Sequence, residues 1–329
     1  MNVKEYLWQA AGSNPKGGLP VLSFPTVNLL GITVEQLVND ASLQAKVMEF
    51  VAVETDTLAA VSPMDLSVEA EAFGTQVRFS AGEIPVVTGQ LVDGMEAAEA
   101  LEVPGLEAGR ASVFVEGVRL AKKKITDKPL FAGMIGPFSL AGRLMDVMEI
   151  MYICFDEPEA VHEVLEKATK YLLNYGSAMK AAGADGIILA EPLAGIISPD
   201  MAEEFSVPYV KQIVDALQDD SFAVIYHNCG NAVPHMLEAL LSQGAMAYHF
   251  GNSVDMKAIL DTVPADVLCM GNLDPAAVLA EGTADEVSSA TKAMMSACGK
   301  YQNYIPSSGC DIPAHAPWEN IKAFFAALN

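Results

Sequence analysis

The chain of 329 residues is 51% hydrophobic and carries a formal net charge of −23. A charge this negative argues against a nucleic-acid-binding surface, which needs clustered lysine and arginine, and it disfavours anionic membranes. The five cysteines are odd in number and scattered, so no disulfide framework is expected. The N-terminal residues show no basic start followed by an apolar run, and we therefore expect a cytoplasmic protein.

Short apolar runs alternate with amphipathic helical patterns along most of the chain. Runs that are apolar on both faces and separated by helices are typical of a parallel sheet covered by helices. Eight such runs predict the α/β architecture of a (β/α)₈ TIM barrel. No linker interrupts the pattern, so residues 1–329 are expected to form a single barrel domain. The predicted strands are 20–24, 57–62, 129–134, 185–190, 222–227, 245–250, 266–271 and 301–306.

Residues 63–110 do not fit a minimal barrel. This segment is long and acidic, and its apolar and polar residues alternate. The pattern predicts a β-hairpin insertion with a connecting helix after the second strand. We expect the insertion to form a lid over the mouth of the barrel.

Polar residues follow most of the predicted strands. In barrels of this kind the chemistry lies at the C-terminal ends of the strands, where the loops begin. Side chains that are distant in the chain are therefore expected to meet there. The candidates at these strand ends are Asp65, Glu191, His227, Cys229, His249, Asn252, Asn272, Asp274 and Cys310.

Three of these residues have the chemistry of a catalytic zinc site. His227 and Cys229 are two positions apart, so in extended backbone their side chains point to the same side. Cys310 follows the last predicted strand. Two thiolates and one imidazole suit Zn²⁺, and three protein ligands leave the fourth position open for a substrate. Buried free thiols and a core histidine are the alternative, but positions beside Gly230 and Gly309, just after strands, favour a metal.

The other candidates have two interpretations each. Glu191, before Pro192, is either a buried acid in the pocket or a cap on a helix or turn. His249 is a fourth ligand, a hydrogen-bonding partner of a ligand, or a satisfied polar residue at a strand end. Asp65 and Asp311 are either pocket acids or capping groups. We take Glu191, Asp65 and His249 as candidates for catalysis.

Two motifs carry a resemblance to a known family: HNCG at 227–230 and GCDIPAHAPWEN at 309–320, supported by segments 24–46, 63–79 and 270–275. The sequence resembles the uroporphyrinogen decarboxylase superfamily, and within it the methylcobamide:coenzyme M methyltransferases. The resemblance implies a (β/α)₈ barrel with zinc held by one histidine and two cysteines. These correspond to His227, Cys229 and Cys310.

The resemblance also implies a function and partners. We expect methyl transfer between a methylcobamide, carried by a separate corrinoid protein, and a zinc-bound thiol such as coenzyme M. Asn252, Asn272 and Asp274 are the candidates for binding the cofactor. An acidic residue that some coenzyme M enzymes have near position 252 is replaced here by Asn252, which leaves the thiol acceptor open.

Decarboxylation of uroporphyrinogen is the alternative function. Asp65 aligns with the pyrrole-binding aspartate of the decarboxylases, but their N-terminal arginine motif has no counterpart here. Their C-terminal histidine aligns approximately with Ser308, and their pocket tyrosine with about Arg143. That reaction needs no metal, so it would leave the three zinc-ligand candidates unexplained. A third possibility is a non-catalytic protein that binds metal or corrinoid.

Overall fold

The structure is a computed structural model that describes residues 1–328. Its strands are β1 (Ala60–Val61), β2 (Gln76–Arg78), β3 (Val86–Thr88), β4 (Leu130–Ile135), β5 (Gly186–Ala190), β6 (Ala223–Asn228), β7 (Ala247–Phe250), β8 (Leu268–Leu273) and β9 (Tyr304–Ser308).

The helices cover the outer face of the sheet and the two ends of the barrel. They are α1 (Val3–Gly12), α2 (Thr26–Leu30), α3 (Val34–Asn39), α4 (Ala41–Glu54), α5 (Val68–Ala72), α6 (Met95–Ala100), α7 (Ala111–Lys122), α8 (Pro137–Met145), α9 (Glu149–Asp156), α10 (Pro158–Ala182), α11 (Pro199–Phe205), α12 (Val207–Leu217), α13 (Leu237–Leu241), α14 (Met256–Thr262), α15 (Ala284–Cys298) and α16 (Trp318–Ala327). Short 3₁₀ turns at Leu193–Gly195 and Val233–His235 and a π-helical turn at Pro275–Ala280 connect them.

Seven strands form one parallel, curled sheet in the order β1-β4-β5-β6-β7-β8-β9. The predicted α/β barrel is therefore confirmed, and seven of the predicted runs overlap a strand of this sheet. Their apolar character has a direct structural reason, because β4, β5, β6, β7 and β9 are buried at every position. Such strands face a core on both sides, as parallel sheets do.

The prediction of a strand at 20–24 is wrong. The chain does pass between β9 and β1 just before this point: Leu19 N donates to Pro306 O at 2.9 Å, and Leu58 N donates to Gly18 O at 2.9 Å. The ladder cannot continue because Pro20 has no N–H, and Val21 N donates to the side-chain hydroxyl of Ser308. An irregular segment thus occupies the eighth place.

Alternation along the strands divides the core into two parts. Ile188 and Ile225 point into the barrel, where α1 closes the end at which the strands begin, whereas Ile187 and Tyr226 pack against the surrounding helices. By the same alternation His227 points inward, at the end of β6 where the loops begin. The apolar packing of the barrel interior therefore ends in a polar layer at its mouth.

The predicted insertion after the second run is confirmed. Strands β2 and β3 pair antiparallel, with Val77 opposite Val87, and lie outside the barrel sheet. The loop between them is tied to the body of the protein, because Val34 N donates to Ala81 O at 2.9 Å. Within residues 1–328, no helix combines the length and hydrophobicity needed to cross a membrane.

Candidate metal centre and active site

His227, Cys229 and Cys310 meet at the mouth of the barrel. Their ligand atoms all lie within 4.8 Å of one another, and Cys310 Sγ is 3.4 Å from His227 Nε2. In a tetrahedral zinc site with the usual Zn–N and Zn–S bond lengths, ligand atoms are about 3.4–3.8 Å apart. The soft donor set and its spacing therefore fit Zn²⁺, and the cavity beside the cluster leaves room for a fourth ligand.

Close backbone packing holds the two cysteines in position. Gly251, after β7, lies so near Cys229 that a Cβ at this glycine would be 2.5 Å from Cys229 Cα. Gly309, beside Cys310, approaches the loop after β7 in the same way: a Cβ at this glycine would be 2.6 Å from Asn252 N. Only a residue without a side chain fits at either place. The two glycines let loops from β7 and β9 converge on the end of β6.

A chain of hydrogen bonds fixes the orientation of His227. Ser307 Oγ is 2.7 Å from Leu19 O, which can only accept, so the hydroxyl donates there and accepts from His249 Nε2 at 2.8 Å. His249 Nδ1 then accepts from His227 Nδ1 at 2.7 Å. His227 Nε2 is left with its lone pair directed towards Cys310 and the metal position.

His249 is therefore a hydrogen-bonding partner of His227, one of the three candidate metal ligands. Both of its ring nitrogens are engaged in the chain of hydrogen bonds, so neither is available as a fourth ligand. Burial, reinforced by the neighbouring His227, holds the pKa of His249 well below its ordinary value and keeps the ring neutral. Partners of this kind fix the tautomer of a metal-binding histidine and raise its affinity for the metal.

The two thiols influence each other. The hydrogen bond with Cys310 raises the pKa of Cys229 to about 12, and the same contact lowers the pKa of Cys310. A divalent cation would bind both sulfurs as thiolates, so its binding would be coupled to proton release.

A cavity of about 220 Å³ adjoins the three residues. Its walls are mainly apolar, and the turn of the β2–β3 hairpin supplies part of them, so the insertion covers the mouth as expected. The volume is below the roughly 300–1,000 Å³ of pockets for drug-sized ligands, so the cavity suits a small molecule. Besides the cluster, its lining residues include Met64, Leu66, Ile84, Pro85, Arg143 and Asp311.

Asp65 does not line this cavity. Its Oδ2 atom is 2.5 Å from Arg110 Nη1, and its Oδ1 atom accepts from both the N–H and the hydroxyl of Ser67. Arg110 also pairs with Glu71 at 2.6 Å. The carboxylate is thus held in a buried network that fixes the start of the insertion, and its catalytic role stays a prediction.

Glu191 is fully buried and caps a helix. Its carboxylate accepts hydrogen bonds from the N–H groups of Phe138 and Ser139, at 2.8 and 3.2 Å, in the first turn of α8. Burial raises its pKa to about 8, although these hydrogen bonds oppose the shift. The structure therefore matches the capping interpretation of Glu191, which does not line the cavity; its catalytic role also stays a prediction.

The three candidates for cofactor binding lie on the rim. Asn252 Nδ2 donates to Asp274 Oδ2 at 2.9 Å, and Asn272 Nδ2 donates to the carbonyls of Gly251 and Val254. Asp274 also caps the π-helical turn that follows β8. These hydrogen bonds order the loops around the metal cluster, and a direct contact of the three residues with a cofactor stays a prediction.

Sequence reasoning aligned Arg143 approximately with the pocket tyrosine of the decarboxylases but did not select it as a candidate site residue. It lies in α8, whose other residues are all buried, and it is one of the residues that line the cavity. The signal that could have found it is a single charge within the apolar run PFSLAGRLM. Charged residues are rarely buried without a function or a partner.

The fold and the site together define a class: an α/β barrel protein with a small cavity and a cluster of soft metal-ligand side chains at its mouth. The chain belongs to the uroporphyrinogen decarboxylase (URO-D) family, whose family model matches residues 26–329. The resemblance drawn from the sequence motifs is thereby confirmed.

Relatives within the family fall into two groups. The chain is 29% identical to the Methylcobamide:CoM methyltransferase MtbA of Methanosarcina acetivorans, over 97% of this chain and 95% of that protein. It is 30% identical to the uroporphyrinogen decarboxylase of Desulfotalea psychrophila, over 67% of this chain and 65% of that protein. Among solved structures, a methyltransferase from Methanosarcina mazei superimposes with a TM-score of 0.87 at 25% identity, covering 100% of this chain and 98% of that one.

Similarity over the whole length, in both sequence and structure, is thus to methyltransferases. The predicted enzyme class, a methyltransferase, is confirmed by these matches.

Proposed function

We propose that this protein is a zinc-dependent corrinoid methyltransferase, which moves a methyl group between a methylcobamide and a thiol bound at the metal. The observation that carries the proposal is the convergence of His227, Cys229 and Cys310 within ligand distance of one position beside a cavity. Three protein ligands and an accessible fourth position are typical of catalytic zinc, whereas structural zinc has four protein ligands.

The donor set suits activation of a thiol. When bound, zinc lowers the pKa of a coordinating thiol, so that the substrate is ionised at neutral pH. Two cysteine thiolates and a neutral imidazole balance the charge of Zn²⁺. The added substrate thiolate then carries an excess negative charge and keeps its nucleophilicity. His249 and Ser307 hold His227 in the tautomer that this arrangement needs.

The cavity walls position the reactants. His227, Cys229 and Cys310 would hold the zinc, which would supply an ionised thiol, and a methylcobamide would be the methyl donor. The S–C bond formed on the thiol would replace the Co–C bond, whose electron pair would stay with the corrinoid. The reverse transfer uses the same geometry. Apolar side chains such as Met64 and Ile84 exclude water from the sulfur, and a fixed approach supplies much of the rate enhancement.

A corrinoid is far larger than the cavity, and we propose that a separate corrinoid protein presents it at the mouth. An exposed apolar surface borders the cavity: Val147 and Ile196 line a groove together with Arg143 and Pro192, which also line the cavity. Further exposed apolar side chains lie on and just before α9, which follows Val147 closely in the chain. We call this set the α9 surface, consisting of Val147, Met148, Tyr152, Phe155 and Ile196. Contiguous exposed apolar residues mark interaction sites.

Replacing Phe155 with aspartate is expected to weaken use of a methylated corrinoid protein by about 10-fold or more in kcat/KM, since a buried aromatic contact is often a hot spot. The rate with free methylcobalamin should stay within about twofold. Val53→Asp is the matched control, because Val53 and Phe155 are both 74% exposed. Val53 lies near the end of α4, at the end of the barrel where the strands begin, which is opposite the mouth. Equal losses in both variants, or a loss with free methylcobalamin, would argue against this docking surface.

The function itself is tested by incubating the zinc-loaded protein with free methylcobalamin and coenzyme M under anaerobic conditions. We expect demethylation of methylcobalamin, followed by absorbance, that requires both the thiol and zinc. Conversion of uroporphyrinogen to coproporphyrinogen would show the decarboxylase function instead. Binding of corrinoid without turnover with any thiol would point to a non-catalytic protein.

We also propose a cytoplasmic location, because all five cysteines are free, as is usual in a reducing compartment. Cell fractionation would test this location, and recovery of the protein outside the cytoplasm would contradict it.

A further inference from the structure

The cysteines of the chain differ in their accessibility. All five are free, and three of them are buried, namely Cys154, Cys269 and Cys298. Cys229 and Cys310 are partly exposed, and both line the cavity of about 220 Å³ at the mouth of the barrel. A space of roughly 10–15 Å³ is enough to hold one water-sized molecule. A small oxidant such as hydrogen peroxide can therefore reach these two cysteines through the cavity.

The sulfur atoms of Cys229 and Cys310 are also close to each other. They lie within 4.8 Å, and a disulfide bond brings two sulfurs to about 2.05 Å. Cys229 directly follows β6, and Cys310 lies just beyond the end of β9, so neither residue belongs to a strand. A change of cysteine rotamer moves the sulfur without moving the backbone. The fold thus places a pair of neighbouring thiols beside the cavity.

The three buried cysteines are poor targets for the same oxidant. Burial raises the pKa of Cys154 and of Cys269 to about 12, and that of Cys298 to about 11. The thiolate is the form of cysteine that reacts with oxidants, and these three side chains are almost fully protonated at neutral pH. Oxidation is therefore expected to select the pair at the barrel mouth.

We propose that Cys229 and Cys310 are a redox modification site, at which a peroxide converts the two thiols into a reversible disulfide. The first sulfur attacks a peroxide oxygen, the O–O bond breaks, and a sulfenic acid and one water are formed. The second sulfur then attacks the sulfenic sulfur, the S–S bond forms, and a second water leaves with both remaining protons. Two thiols and one hydrogen peroxide thus give one disulfide and two waters, and two electrons pass from sulfur to oxygen.

The disulfide would also switch off metal binding, a consequence that rests on the proposed zinc-dependent function. Only thiolate sulfur is a zinc ligand, so the disulfide removes two of the three candidate ligands. His227 remains alone, whereas catalytic zinc sites have three protein ligands. Thiol–disulfide exchange with a dithiol reductant restores both sulfurs and, with them, the site. Oxidation at this pair therefore regulates the protein without damaging it.

The first test follows the covalent change. The reduced, zinc-loaded protein is treated with hydrogen peroxide, blocked with an alkylating reagent and analysed by mass spectrometry. We expect the loss of two hydrogen atoms and a cross-link between the peptides that contain Cys229 and Cys310. These two thiols should disappear at least about 10-fold faster than the three buried ones, because burial keeps the latter protonated. Dithiothreitol should reverse the change.

Zinc release is measured in the same reaction with a chromogenic chelator. It should rise in step with the disulfide, and the metal should bind again after reduction. Cys298→Ala is the matched control, because it removes a buried thiol away from the pair, and it should behave as the wild type. Cys310→Ala should form no intramolecular disulfide, and its Cys229 should instead be trapped as a sulfenic acid by dimedone.

The opposing results are distinct. A disulfide that involves a buried cysteine would overturn the assignment, as would oxidation of one member of the pair to a sulfinic acid while the other stays a free thiol. Zinc that stays bound after the disulfide has formed would overturn the switch. A reversible disulfide between Cys229 and Cys310 in a protein without thiol-dependent demethylation would refute the methyltransferase function and leave the modification site intact.

Discussion

The Cys310→Ala variant is expected to lose nearly all of its bound zinc and its thiol-dependent demethylation of methylcobalamin. Removing one of three ligands should weaken zinc binding by more than the roughly 10–100-fold that changes in outer partners of a metal cost. The remaining pair, His227 and Cys229, would leave two of the four tetrahedral positions to solvent instead of one. Metal analysis after dialysis against a weak chelator, together with the demethylation rate, measures both effects.

The matched control for this variant is Cys298→Ala. Cys298 is a buried free cysteine at the end of α15, away from the cluster, so its removal tests the loss of a thiol as such. This control should retain its zinc and its activity. Zinc that remains in Cys310→Ala at the wild-type level would contradict the assigned ligand set.

The second large effect is expected in stability. Arg110→Gln should lower the free energy of unfolding by about 3–5 kcal/mol, because breaking a buried ion pair leaves an uncompensated charge. The side chain of Asp65 is 0% exposed and that of Arg110 is 7% exposed, so water cannot replace the lost partner. Urea unfolding followed by circular dichroism measures the change.

Arg119→Gln is the control for this second effect, since Arg119 lies in α7, the helix that Arg110 directly precedes, but its side chain is 46% exposed. Its substitution should change stability by no more than about 0.5 kcal/mol. The folded fraction of Arg110→Gln should still bind zinc, because Arg110 supports the insertion and not the metal. A loss below about 1 kcal/mol in Arg110→Gln would show that the network is weaker than its burial indicates.

The sequence predicted the parts of the fold that depend on local pattern. Fully apolar runs correspond to strands that are buried on both faces, and they were visible without any knowledge of the neighbours. The run at 20–24 has the same composition, but its state depends on what lies on either side. There, Pro20 cannot donate to β9, and the hydroxyl of Ser308 takes the place of a backbone acceptor.

The convergence of the three candidate metal ligands could be predicted for a similar reason. His227 and Cys229 are related by the period of a strand, and Cys310 follows another strand, so barrel topology alone brings them to the same end. The partners of the acids could not be predicted in this way. Glu191 meets Phe138 and Ser139, which lie 53 and 52 positions away in the chain. Only packing decides whether such a carboxylate caps a helix or faces a substrate.

The surroundings of Arg143 likewise depend on packing and are not visible in the local sequence pattern. Its sequence context shows a helical position with apolar neighbours, which is compatible with a solvated side chain at the edge of a helix. The tertiary structure places this position of α8 among the residues that line the cavity. The position of this charge beside the cavity depends on the tertiary structure, so it could not be predicted from the motifs that contain the candidate metal ligands.

Zinc K-edge X-ray absorption spectroscopy of the purified protein, before and after addition of coenzyme M, examines the proposed chemistry at the metal itself. The spectrum of the free protein should fit two sulfur ligands at about 2.3 Å and one imidazole nitrogen at about 2.0–2.1 Å, with a light atom from solvent in the fourth position. Addition of the thiol should replace that light atom with a third sulfur. A zinc ion coordinated without sulfur, or a first shell that does not change with the thiol, would contradict thiol activation at His227, Cys229 and Cys310.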